Sequence, residues 1–232
     1  MKKLLFFVMA LFIVSNAFSQ EVRFGVKAGV NLASLSDVES SGSGISIKVF
    51  EKDGMAIGYH GGVFANIGFG KFIGFQPELL FSMQGGKHKM GQLFSGMDDF
   101  DDMDLEFDGT TPKVSYQLGY VALPLLLEIK PVDNLGILVG PQVGYNLTRS
   151  ATSSFDGEKE TISGKDFDND FLELKKFDAG VTVGLQYTIA GHLTIGARYY
   201  LGLLDGFSET EDGVTTKGFK NGVIQASIGY SF

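Results

Sequence analysis

A period-two alternation constrains this chain more than any other feature. In the last segment, Gly222, Ile224, Ala226, Ile228, Tyr230 and Phe232 share one face, and Asn221, Val223, Gln225, Ser227, Gly229 and Ser231 share the other. Before it, Leu193, Ile195, Ala197, Tyr199, Leu201 and Leu203 oppose Thr194, Gly196, Arg198, Tyr200 and Gly202. The same design runs through Phe177–Ile189, Leu135–Leu147 and Arg23–Leu32. Successive strand side chains point to opposite faces, whereas a helix would repeat apolar residues at i, i+3 and i+4. Three further strands are expected around Ala56–Phe69, Phe72–Gln84 and Tyr116–Lys130. Each segment spans roughly 10 to 14 residues, beyond the usual ~5–6 and matched to the ~9–11 tilted residues that cross a bilayer.

The two faces differ in kind. One is aliphatic or aromatic; the other carries glycine with scattered polar groups. A soluble barrel would turn the apolar face inward and cover its exterior with Lys and Glu. Glycine makes up 32 of the 232 residues, without a Gly-X-Y period, and it suits the cramped lumen of a small barrel. The 21 Phe and 8 Tyr against only 5 Pro favour strands, and a hydrophobic content of 44% excludes a disordered chain. The apolar face is therefore expected to meet lipid.

Met1-Lys2-Lys3, the apolar run Leu4 to Val14, and Ala17 and Ser19 before Gln20 read as a secretory signal peptide over 1–19. Residues 20–232 then form one barrel domain. No apolar run of the mature chain is long enough for a spanning helix, so anything embedded in lipid must be a closed barrel. The connections alternate. Long links at Ser34–Gly54, Gly85–Ser115, Arg149–Lys176 and Asp205–Lys220 alternate with short ones near Gly70-Lys71, Pro131–Asn134 and Ala190–His192. That is the plan of an all-β, eight-stranded antiparallel up-and-down transmembrane β-barrel, with short periplasmic turns, long extracellular loops and both termini periplasmic. Pro77, Pro124 and Pro141 fall inside strands and are expected at bulges or near strand ends. Gln117 and Gly119 share the parity of Val121, Leu123, Leu125, Leu127 and Ile129, which suggests a bulge in that strand.

Phe24–Asn31, Tyr120–Leu127, Gly140-Pro141-Gln142-Val143-Gly144, Leu193–Leu204 and Val223–Phe232 together resemble the PorT-like outer-membrane β-barrel family of Gram-negative bacteria. The resemblance covers essentially the whole mature chain. It implies a small barrel of about eight strands, usually without an assigned biochemical activity; the family's namesake is linked to protein secretion across the outer membrane. The alternate residues Ile228, Tyr230 and Phe232 look like the C-terminal signal read by the barrel-assembly machinery, which would be a transient partner beside outer-membrane lipid.

Chemistry-bearing residues are sparse. The chain has no cysteine, and His60, His88 and His192 are scattered, so no metal site is expected from them. Asp98, Asp99, Asp101, Asp102 and Asp104 form an acidic stretch of an expected extracellular loop. It is either a solvated surface or a holder of divalent cations. Asp166, Asp168 and Asp170 imitate a calcium loop, but Phe171 stands where glycine is required. The balance of 19 basic to 27 acidic residues argues against nucleic acid. No cofactor motif and no catalytic set emerge. Parity sends Arg23, Lys27, Glu78 and Arg198 into the lumen, with Glu128 and His60 beside them, as an ion-pair network filling the interior. Three functions follow: a non-enzymatic structural or surface-interaction barrel, the favoured one; a narrow gated channel for small solutes; or a soluble lipocalin-like barrel with an inward apolar pocket.

Overall fold

The computed structural model describes residues 22–42, 45–90, 113–155, 158–164, 175–206, 208–211 and 214–232. These form twelve strands and no helix: β1 (Val22–Leu35), β2 (Val38–Gly42), β3 (Ile45–Gly68), β4 (Ile73–Met90), β5 (Lys113–Val132), β6 (Leu135–Phe155), β7 (Glu158–Ser163), β8 (Phe177–Ile189), β9 (Leu193–Gly202), β10 (Ser208–Glu211), β11 (Val214–Lys217) and β12 (Asn221–Ser231). Eight of them close a ring in the order β1-β3-β4-β5-β6-β8-β9-β12, every neighbour antiparallel. Closure comes from β1, which pairs with β12 on one side and β3 on the other. The expected eight-stranded antiparallel barrel is the observed architecture.

Its polarity is inverted relative to a soluble protein. Along β8, Val181, Val183, Leu185 and Tyr187 are 38–54% exposed, while Arg198 inside is 4% exposed. That outward aliphatic wall excludes the lipocalin-like alternative, in which those residues would line a pocket. Aromatic side chains mark the short-turn end of the wall, among them Phe24, Phe69, Phe72, Tyr230 and Phe232. At that end Gly70 and Gly191 adopt positive φ (84° and 78°), which glycine tolerates without a Cβ clash.

Two expectations about strand irregularity need correction. The three prolines sit mid-strand at unshifted register: Pro77 faces Leu125, Pro124 faces Gln142 and Pro141 faces Val181. Each leaves a local gap in one ladder instead of a bulge. The β3–β4 register runs from Phe64↔Glu78 to Ile67↔Phe75 without intervening pairs, and similar gaps lie opposite Pro124 in β4–β5 and Pro141 in β5–β6. Proline lacks only the N–H, so the bond is lost while the extended path and its parity survive. The second correction concerns the phase of β5. Gln117 and Gly119 keep the outward parity of Val121, and the extra residue is Leu147 of β6, since Gly119 pairs with Thr148 but Tyr120 with Asn146.

The long links are largely sheet. β3, β4, β5 and β6 run 24, 18, 20 and 21 residues, about twice what a bilayer requires. β2 pairs with the outer part of β3, the β10–β11 hairpin joins β2, and β7 folds back on β6. These extensions form a collar beyond the apolar band. Apart from Ile45, Ile47 and Val49 of β3 they carry little apolar alternation, so they read in sequence as polar links.

A lysine at Val183, midway along the lipid-facing wall, is expected to lower stability by about 2–4 kcal/mol. Lysine at Gln117, outward but above the band, should change it by less than about 1 kcal/mol. Urea titration of vesicle-inserted protein, read by gel mobility, checks both.

Candidate functional site

The interior is built in layers along the barrel axis. At mid-depth the Lys27 Nζ donates to Glu78 Oε1 at 2.7 Å, and Arg198 NH1 donates to Glu78 Oε2 at 2.7 Å. Gln76 Nε2 also donates to Glu78 Oε1 at 2.7 Å, leaving the carboxylate fully engaged. Lys27, Glu78 and Arg198 come from β1, β4 and β9, so the cluster ties three separated staves together. The Lys27 ammonium also lies 5.3 Å from the Phe64 ring centre.

Towards the short turns the network continues. Gln186 Nε2 donates to Gln76 Oε1 (3.0 Å) and to Glu128 Oε1 (2.7 Å), while Asn66 Nδ2 donates to Glu128 Oε2 (2.7 Å). Lys130 closes it, 3.1 Å from Glu128 Oε2. On the other side of the ion cluster His60 Nδ1 meets Asn31 Oδ1 at 2.7 Å, and Asn31 Nδ2 donates to Ser82 Oγ at 3.0 Å. Higher still, Asn221 Nδ2 donates to Asp178 Oδ2 at 2.6 Å. The long-link end is shut by an apolar cap of Leu35, Val38, Tyr116, Leu118 and Phe219, with Tyr116 and Phe219 ring centres 5.9 Å apart.

Glycine makes this packing possible. A Cβ at Gly184 would run into Arg198, one at Gly29 into the His60 ring, one at Gly25 into Phe64 and one at Gly136 into the Glu128 carboxylate. Each of these four interior side chains lies over a glycine of a neighbouring strand. The glycine-rich face is thus the negative of the buried polar set, as a lumen of eight strands requires.

The structure therefore places Lys27, Glu78 and Arg198 together, with Glu128 and His60 in adjoining layers. Arg23 stands apart, at the short-turn mouth, where its NH1 donates to the Gly191 carbonyl at 2.8 Å. Ile228, Tyr230 and Phe232 all point outward, 48–72% exposed, and the Phe232 N–H donates to the Phe24 carbonyl at 2.9 Å. Asp98, Asp99, Asp101, Asp102 and Asp104 lie outside the described residues. No group of three or more His, Asp or Glu that could hold a metal occurs among the described residues. Parity reasoning over charges alone missed Gln76, Gln186, Asn66 and Asn31, which link the layers. Their signal was available, since Gln76, Gln186 and Asn31 share the inward parity of Glu78, Asp178 and Lys27, and Asn66 that of His60.

At the short-turn end the lumen opens into a polar vestibule of about 590 Å³, walled by Asn66, Gln76, Gln186 and Glu128 and rimmed by Arg23, Lys71 and Lys130. A closed antiparallel ring with apolar exterior, polar plugged interior and aromatic rim describes one kind of protein. Residues 18–208 match the model of the outer membrane protein beta-barrel domain. The chain belongs to that family. The outer membrane is accordingly its location. No curated protein matches the chain. Among solved structures this outer-membrane barrel is similar to OprG of Pseudomonas aeruginosa, at 12% identity over 92% of this chain and 97% of that one, TM-score 0.42. It is similar also to neisserial surface protein A, NspA, at 12% identity over 90% and 97%, TM-score 0.41. The Yersinia pestis attachment invasion locus protein Ail matches at 15% identity over 91% and 99%, TM-score 0.37.

Replacing Glu78 by Gln leaves Lys27 and Arg198 buried without their carboxylate, and should destabilise the barrel by about 3–5 kcal/mol. Lys130→Ala, at the hydrated mouth, should change stability by less than about 1 kcal/mol. The urea midpoints of the two variants in vesicles give the comparison.

Proposed function

We propose that this outer-membrane barrel is a non-enzymatic structural and surface-interaction protein of the PorT-like group, with its collar and long links as the contact surface. Residues 1–19 direct export and are removed. The barrel-assembly machinery reads Ile228, Tyr230 and Phe232 during insertion, and both termini and the short turns face the periplasm. The acidic stretch Asp98 to Asp104 then lies outside the cell, available to divalent cations or to a surface partner.

One observation carries this reading. The lumen is occupied from the vestibule floor to the apolar cap by side chains bonded across the barrel, while four ring strands continue past the apolar band. A wall that is rigid and filled inside but elongated outside suits a scaffold for contacts better than a conduit. The channel reading draws on the vestibule, yet that space ends against Phe64, Gln76 and Gln186. A secretion accessory is supported by resemblance alone.

Protein reconstituted in planar bilayers is expected to give no steady single-channel current. Sustained currents that Arg198→Ala alters would replace this reading with the channel. Sidedness has its own test, helped by the absence of native cysteine. A cysteine at the exposed Lys159 should react with a membrane-impermeant maleimide on intact cells, and one at Asp133 only after the outer membrane is permeabilised.

A further inference from the structure

Directly beyond the vestibule lies a second cavity of about 10 Å³, lined by Lys27, Arg198, Thr194, Ser227, Gly196 and Gly229. Phe64, Gln186 and Thr194 border both spaces and form the partition between them. It has room for about one water-sized particle.

Against partly apolar walls, the charged groups of the lining are one-sided. Lys27 and Arg198 share the single carboxylate of Glu78, so the cluster carries one positive charge in excess. The next carboxylates are engaged elsewhere: Glu128 by Gln186, Asn66 and Lys130, and Asp178 by Asn221. Arg198 is 4% exposed, and its Nε and NH2 have no hydrogen-bond partner among the described residues. A guanidinium presents five donors and no acceptor, and a buried cation without compensation is strongly unfavourable. Around the cavity stand these unused N–H groups, the Lys27 ammonium and the hydroxyls of Thr194 and Ser227. All can donate. The remaining walls are Phe64, Leu138, Leu185, Ala197, Gln186 and two glycines, Gly196 and Gly229, which leave room for a rounded ion to approach the donors.

We propose that this pocket is a blind-ended binding site for one small inorganic anion of the halide class, entered from the short-turn end. Arg23, Lys71 and Lys130 outnumber Glu128 and Asp133 around the vestibule, a balance that favours anions at its mouth. The ion neutralises the surplus charge of the Lys27–Glu78–Arg198 cluster and completes the coordination of Arg198. The path stops there, because the Asn31–His60 layer and the apolar cap lie beyond. The site is therefore compatible with a barrel that binds an anion and does not conduct it.

Bromide tests the site directly. Full-length protein expressed and purified from outer membranes, crystallised with bromide as the only halide, should show an anomalous peak within hydrogen-bond reach of Arg198 Nε or NH2. Gly229→Ala should abolish that peak while retaining all three charges. The added methyl would meet Val26 O, Lys27 Cβ and Phe64 Cε1 at 3.3–3.4 Å, close enough to fill the cavity with little displacement. In parallel, chloride should raise the temperature of the heat-induced gel-mobility shift above that in gluconate at equal ionic strength, and Gly229→Ala should lose that difference. The proposal fails if the Arg198 nitrogens are satisfied by water or by Gln225, which faces Arg198 across β9–β12. It fails equally if bromide appears only at the vestibule rim, as an adventitious ion only, or if the peak survives Gly229→Ala. Equal transition temperatures in chloride and gluconate would also overturn it.

Discussion

Everything in this molecule depends on the seam between its first and last strands. Hydrocarbon offers no water to unpaired N–H and C=O groups, so a sheet can sit in a bilayer only when it has no edge. The β1–β12 pairing removes the edge through a continuous register from Gly25↔Ser231 to Leu35↔Asn221. The Phe232 N–H bonded to the Phe24 carbonyl extends the seam to the last residue. Closing with only eight strands then dictates the width of the lumen, and width dictates the interior chemistry.

A narrow lumen must be filled, and the residues that fill it face inward from a wall whose exterior is apolar. Each inward side chain therefore needs both a hydrogen-bond partner and a glycine to lie against. Arg198 over Gly184 and Glu128 over Gly136 show the two demands met together. The bonds that result cross the barrel instead of running along one strand, so Glu78 on β4 holds β1 and β9 at once. Polar groups that would weaken a soluble core become cross-braces here, since every brace replaces water that the lumen has little room to admit. The apolar cap above them is the larger of two apolar clusters among the described residues, and it lies where the sheet has left the lipid band and needs an inside of its own.

Where the sequence reading and the structure part, the cause is the same each time. Pro77, Pro124 and Pro141 suggested bulges because a missing donor was treated as a break in geometry; each removes a bond but preserves the extended path. The phase at Gln117 was legible as an anomaly, yet the extra residue that accompanies it, Leu147, belongs to the neighbouring strand. The link at Arg149–Lys176 looked like a loop because its strand residues are largely polar on both faces, and in Ser34–Gly54 the Ser- and Gly-rich stretch concealed the short alternation of Ile45, Ile47 and Val49.

The sequence by itself determined the number of ring strands, the direction each side chain faces and the inversion of polarity. All three follow from period-two alternation, a property of each strand alone. Tertiary structure alone decided which inward groups meet. Lys27 and Glu78 are 51 residues apart and Arg198 and Glu78 are 120 apart. Their meeting depends on the register of every intervening pair and on the stagger at which the ring closes. Register and stagger are properties of the closed sheet as a whole, which is why parity could send Arg23, Lys27, Glu78 and Arg198 inward yet could not separate Arg23 at the mouth from the three that form the central cluster.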